Sequence, residues 1–246
     1  MNYWSRKDEL AKKAVIHTKE MSKKYKSEIA LSIENTKFYD RQPDLETSGD
    51  LPKIEVVDLD SVSAVHAYSS ENMAVLNFAS YKFPGGGFMR GSSAQEEALC
   101  QHSYLYNVIS DFDKTIYEWN RNNLNKGMYL NRGLYSPDIM FDDRTKCSVI
   151  TVPAPNKSVM LKYGNFTAEE NLRALAERTK LVIDIASENN VKTLILGAFG
   201  CGVFKQDPFE VATLFKKALR GSSFDKVVFA IPRGANYNAF KGVFKA

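Results

Sequence analysis

The stretch MAVLNFASYKFPGGG, residues 73–87, is an apolar run that leads through a proline into three consecutive glycines. An apolar run bounded by Pro and Gly reads as a buried strand, and glycines just past a strand read as a turn or a ligand loop. The pattern recurs at KTLILGAFG (192–200), where Gly197, Gly200 and Gly202 follow the apolar run. Further β-type runs are IEVVDL (54–59), CSVITVPAP (147–155) and KVVFAIP (226–232). Helical patterns separate them. One short helix is opened by Asp60, and another from about Gln95 carries Leu105, Val108, Ile109, Phe112 and Ile116 on one stripe. Two more run from Thr167 to about Asn189 and from Pro208 onward. Strands alternating with helices predict an α/β fold with a mostly parallel sheet covered on both faces.

The chain has 246 residues, of which 44% are apolar, 12% aromatic and 25% charged, the profile of an ordinary soluble globular protein with one sizeable core. It holds no run of about 18 apolar residues. The N-terminal MNYWSRKDELAKKAV has no apolar segment after its charges, so the expectation is a cytoplasmic protein without a span or secretory signal. Cys100, Cys147 and Cys201 show no C-x-x-C spacing and share the chain with only three histidines, so no metal site and no cofactor are implied. The net charge is +4, and basic residues crowd a helix expected from Ser5 to about Lys26, with Ser5 and Asp8 as a capping pair. Asp8, Glu9 and Glu20 interleave those cations and no aromatic platform accompanies them, so the segment reads as a solvated face rather than a nucleic-acid surface. RQPDLETSGDLPK (41–53) reads as a loop, not a domain boundary.

In a parallel sheet, ligands bind beyond the carboxyl ends of the strands, which places both glycine loops at one rim. Glycine adopts positive φ without a Cβ clash, so successive N–H groups can turn toward phosphate oxygens, and two such loops can hold a diphosphate. Neither loop matches a known nucleotide fingerprint, and GCGVFK puts Lys205 where a dinucleotide motif needs glycine. Each loop alone serves equally well as a tight turn.

SSAQEE, residues 92–97, offers two overlapping capping boxes, Ser92 with Gln95 and Ser93 with Glu96. That account leaves Glu97 over. Neighbouring residues on a helix point about 100° apart, so Glu96 and Glu97 cannot flank one glycosidic bond from opposite sides as paired glycosidase carboxyls do. One must carry the proton chemistry while the other holds substrate.

PGGGFMRGSSAQEE (84–97) resembles the signature of the poly(ADP-ribose) glycohydrolases, three glycines, a short spacer and Gln-Glu-Glu. VLNFASYKFPGGGF, YSPDIMF, VITVPAPN and LGAFGCGVFKQDP are similar, in that order, to the microbial-type branch of that family. The resemblance covers nearly the whole chain. It implies a macrodomain-like mixed, mostly parallel sheet sandwiched between helices, a single catalytic domain spanning 1–246, with residues 1–50 as an N-terminal helical extension packed on it. It implies binding of ADP-ribose, poly(ADP-ribose) and ADP-ribosylated proteins, and hydrolysis of the ribose–ribose bond. By motif position Glu97 matches the catalytic acid, Glu96 its ribose-binding neighbour and Gln95 the remaining signature residue. Gly85, Gly86 and Gly87, with Phe88 beside them, match the loop along the diphosphate and distal ribose, and Asn77 a contact to that ribose. Gly200, Cys201, Gly202, Val203 and Phe204 match the diphosphate loop, with Phe204 against the ribose. The residues leave open a hydrolase of single ADP-ribose units on protein or nucleic acid, a non-catalytic ADP-ribose reader, and a plain nucleotide-binding domain whose glutamates only start a helix. Pro153–Asn156 could border adenine, and His66, His102 and the thiol of Cys201 read as structural.

Overall fold

The computed structural model describes residues 3–164 and 166–245, with only the backbone of residues 3–5. Helices α1 (Tyr3–Lys24) and α2 (Lys26–Asn35) lead into strand β1 (Lys37–Asp40), and a loop then reaches β2 (Ile54–Val57). Next come α3 (Ser61–Ala67), β3 (Met73–Phe78), α4 (Gln95–Gln101), α5 (Leu105–Ile109) and α6 (Glu118–Asn122). Strands β4 (Arg132–Met140) and β5 (Lys146–Val152) form a hairpin, followed by α7 (Lys157–Tyr163) and α8 (Ala168–Glu188). The chain ends with β6 (Thr193–Leu196), α9 (Pro208–Ala218), β7 (Lys226–Ala230) and α10 (Ala235–Phe244). The helix expected at the N-terminus is present and starts at Tyr3; the side chain of Ser5, and so its pairing with Asp8, lies outside the described residues.

The described strands form one sheet in the order β1-β4-β5-β3-β6-β7-β2. The pairs β3/β5, β3/β6, β6/β7 and β2/β7 are parallel, while β1/β4 and β4/β5 are antiparallel. Alternating side chains feed two cores, one on each face. Ala74 and Leu76 of β3 join Leu175 and Val182 of α8, Phe215 of α9 and Phe240 of α10. Met73 and Val75 join Leu99 of α4, Leu105 and Ile109 of α5, Ala14 of α1 and Ile29 of α2. Residues buried on both sides explain why the central strands read as continuous apolar runs.

Three start signals act as expected. Asp60 Oδ1 accepts from Ser63 N at 2.8 Å, and Asp207 Oδ1 from Phe209 N at 2.9 Å and Glu210 N at 3.0 Å. Thr167 and Glu170 exchange both bonds of a capping box. The helix read from Gln95 through Ile116 is instead broken at His102–Tyr104, because Ser103 bridges to Phe141 beside β4. Of its apolar stripe Leu105, Val108, Ile109 and Ile116 are still buried and Phe112 partly so, carried through α5 and an i→i+5 turn over Asp113–Tyr117. No described helix is long and apolar enough to cross a membrane.

Candidate active site

β3 and β6 are parallel neighbours, so the loops leaving Phe78 and Leu196 emerge at the same edge of the sheet. A cleft of about 700 Å³ opens there, a volume in the range of small-molecule sites. Phe78, Gln95, Gly200, Gly202 and Phe204 line one part of it, and Asp60, Val62, Ile231 and Asn236 the other. The second group was not legible as a site. Asp60 carried only a capping signal, and α10, which bears Asn236, starts after Gly234 without a side-chain cap.

The triple-glycine loop closes over the glutamates. Gly86 has φ +59°, and a Cβ there would lie 2.7 Å from Glu97 Oε1 and 2.8 Å from Glu96 Oε2. Only glycine combines that backbone with that approach. Glu97 Oε1 accepts from Gly87 N and its Oε2 from Ala94 N, both at 2.8 Å. α4 therefore begins after Ala94, and neither Ser92 nor Ser93 caps it as expected; Glu97 itself reaches back to the helix start and ties the loop to it. Glu96 points the other way, under β3. Its Oε2 accepts from Ser80 N at 2.7 Å and its Oε1 from Asn77 Nδ2 at 3.2 Å. Glu96 is 4% exposed, and burial pushes its carboxyl up to about 8, against the lowering bonds from Ser80 and Asn77 and with the nearby charge of Glu97 adding to the rise.

The other signature residue, Gln95, staples three elements while facing the cleft. Its Oε1 accepts from Phe78 N at 2.8 Å, and its Nε2 donates to Leu76 O at 2.8 Å and Ser61 Oγ at 3.0 Å. Two expected substrate contacts sit elsewhere. Asn77 is 0% exposed, with its amide spent on Glu96 and Thr151 Oγ1, because a β3 side chain at that position turns into the packed interior. Phe88 is buried against His17 and Tyr106, since α1 covers that side of the loop.

The second loop is tied down from behind. Gln206 N donates to Gly200 O, its Nε2 donates to Pro155 O at 2.8 Å, and its side chain exchanges two bonds with Asn171. Val203 is 77% exposed on the cleft rim. Phe204 stands edge-on to Tyr129, which stacks on Tyr81 at 4.4 Å between centroids, an aromatic row that no local sequence pattern announces. Cys201 faces inward, and burial pushes its thiol up to about 12, which leaves it a filler rather than a nucleophile. His66 and His102 find partners in Asp143 and Asp142 of the β4–β5 turn, away from the cleft.

The family described as "Microbial-type PARG, catalytic domain" matches residues 6–142. The fold is similar to that of poly(ADP-ribose) glycohydrolase from Thermomonospora curvata, bound to the inhibitor ADP-HPD, at 30% identity and TM-score 0.75, covering 88% of each chain. It is similar to the enzyme from Deinococcus radiodurans in complex with ADP-ribose at 30% identity and TM-score 0.77, covering 88% of this chain and 97% of that one. No curated protein matches the sequence.

Proposed function

The chain belongs to the microbial-type PARG family of poly(ADP-ribose) glycohydrolases, and from that premise we propose that it cleaves the ribose–ribose O-glycosidic bond of poly(ADP-ribose), with Glu97 as its acid and then its base. The observation that carries this reading is the pair of buried carboxylates held under Gly86, on the first turn of the helix whose Ala94 and Gln95 line a nucleotide-sized cleft. One ADP-ribose unit fills the cleft, with its diphosphate between the loop at Gly200–Phe204 and the start of α4. The sequence 1–246 acts as a single macrodomain-type domain, with residues 1–50 packed on it through Ala14 and Ile29.

The anomeric C–O bond breaks as Glu97 gives its proton to the departing ribose oxygen. Positive charge develops at the anomeric carbon, and a diphosphate held nearby stabilises it. Water then adds to that carbon and yields its proton to Glu97, which restores the acid. Glu96, pushed up to about 8 by burial, holds one proton for the pair at neutral pH, which passes to Glu97 before the bond breaks, so the two carboxyls do not both carry charge under Gly86. Asn77 acts through Glu96 by fixing its orientation. The Gly85–Gly87 loop closes over the carboxyls, with Gly86 N spent on Phe83 O and Gly87 N on Glu97, and Phe204 packs against the reacting ribose.

The test is labelled poly(ADP-ribose) with wild type and Glu97→Gln. Loss of general acid–base help lowers kcat by about 10² to 10⁴, while calorimetry shows ADP-ribose binding within a few-fold. A variant that turns over at the wild-type rate removes Glu97 from the role. Activity on mono-modified protein or nucleic acid but not on polymer would reassign the substrate.

A further inference from the structure

The cleft is lined by Ser93, Ala94 and Gln95 but by no residue of 82–91. The triple-glycine loop thus has an outer face that the first substrate unit does not occupy, and the carboxylates lie between the two. On that outer face Phe83 is 38% exposed, although its backbone is fixed: its N donates to Ser80 Oγ at 3.2 Å and its O accepts from Gly86 N at 3.0 Å. Arg90 Cζ lies 4.8 Å from the Phe83 ring centroid and Arg121 Cζ 5.7 Å. Arg90 also donates to Gly86 O at 3.1 Å, one peptide unit from both carboxylates. Lys82 is next in sequence, and Lys7 of α1 packs on Gly91 of the same loop. Asp113, paired with Arg121 at 2.7 Å, is the carboxylate that joins this cluster. The patch is an aromatic ring between guanidinium planes with a surplus of positive charge, set beside the bond to be cut.

We propose that Phe83, Arg90, Arg121, Lys82 and Lys7 form a second subsite, which holds the ADP-ribose unit on the far side of the scissile bond. This rests on the polymer reading above. A nucleoside diphosphate sugar offers what the patch would take: a base to stack on an aromatic or arginine plane, and a doubly charged diphosphate for the cations. A polymer that fills the cleft with one unit and presents its linkage to Glu97 has to continue over this face. The subsite distinguishes a polymer from a single ADP-ribose on a protein side chain, because only the polymer has a second unit to place there.

The experiment compares full-length wild type, Phe83→Ala, Phe83→Tyr and Lys7→Gln/Lys82→Gln on labelled poly(ADP-ribose), with ADP-ribose affinity measured by calorimetry. The Phe83 side chain holds no loop hydrogen bond, so its removal leaves the turn in place. Losing one stacked base raises KM on polymer about tenfold in Phe83→Ala; Phe83→Tyr restores it, and ADP-ribose affinity stays within about twofold in all. The double Lys variant gives a KM that depends less steeply on salt, because fewer cations meet phosphate. An unchanged KM in Phe83→Ala, with wild type cleaving polymer, overturns the subsite and leaves the enzyme reading standing. A KM rise matched by an equal loss of ADP-ribose affinity overturns it too, by placing the defect in the main cleft. A wild type that binds ADP-ribose yet cleaves no polymer overturns both.

Discussion

Glu96→Gln separates the electrostatics of the carboxyl pair from its chemistry. The Glu96 carboxyl ordinarily titrates at 4.5 and in the fold is pushed up to about 8, first by burial. A carboxyl raised in this way keeps a proton that the unfolded chain releases, so the folded state is favoured at acid pH and loses stability as pH climbs from about 4.5 toward about 8. At roughly 1.4 kcal/mol per pH unit the full effect approaches 5 kcal/mol, and about 3 kcal/mol of it falls between pH 5 and pH 8. Glutamine has the same shape and does not titrate. Its oxygen still accepts from Ser80 N, and its NH₂ can donate to Asn77 Oδ1, a buried atom without a hydrogen-bond partner, once the Asn77 amide turns over. Urea denaturation of both proteins across this range gives the assay. The variant gains on wild type with every step up in pH, by about 3 kcal/mol in total, and all other titrations cancel in the difference. Parallel profiles, with a gap constant to roughly 0.5 kcal/mol, would refute the burial argument and with it the proton kept on the pair at neutral pH.

Gly86→Ala forces a side chain into left-handed backbone, at a strain of about 1–2 kcal/mol, and pushes a methyl against both carboxylates; kcat on polymer falls by about 10² while circular dichroism stays native. Gly202→Ala does the reverse. With no atom within 4 Å of its Cβ position and no positive φ, the variant keeps the wild-type melting temperature, but ADP-ribose affinity drops, because in the proposed function this loop meets a diphosphate through its backbone. Gln206→Ala leaves the Asn171 side chain and Pro155 O without their bonds, which lowers stability by about 2–3 kcal/mol in denaturant titration and weakens ADP-ribose binding through the freed Gly200–Phe204 loop.

Strands that are buried on both faces, β3, β5, β6 and β7, were readable because their runs are mostly apolar, broken only by small polar residues such as Asn77, Ser148 and Thr151, and α8 and α9 because their caps sit at their first residues. β4 was not readable as a strand. It carries Pro137, a register shift between Ser136 and Ile139, and Asp138 at φ +57°, so its alternation is broken at the centre by a bulge that only the pairing with β5 explains. β1 depends on β4 and was missed with it, which is why the antiparallel edge of the sheet did not emerge from a reading that found its parallel half. α2 and α10 have no side-chain N-cap and offered no start signal. At the site, both glycine loops and the glutamates could be found locally, whereas Asn236 and the Tyr81–Tyr129–Phe204 row are assembled from distant segments.

The sequence also suggested that one glutamate starts the helix and the other is left over, and the geometry assigns them in the opposite order. Glu97 makes the helix-start contact at Ala94, and Glu96 is the one sunk under β3. Adjacent positions on a helix diverge by about 100°, yet both carboxylates reach Gly86. They converge because the loop comes to them: Gly87 N binds Glu97, Phe88 anchors the loop in the core, and Gly91, at φ +74°, passes beneath α1 at Lys7. The three glycines and the glutamate pair are therefore one device. Gly86 is required by the carboxylates, which need a backbone without a side chain above them, while Gly85 and Gly87 lie close against Tyr106 and Ser92. The spacer from Phe88 to Ala94 fixes how far the loop can travel before Ala94 N meets Glu97. Lengthening it by one residue should leave the sheet and both cores intact and abolish turnover, a result that tighter or looser phosphate binding alone would not produce.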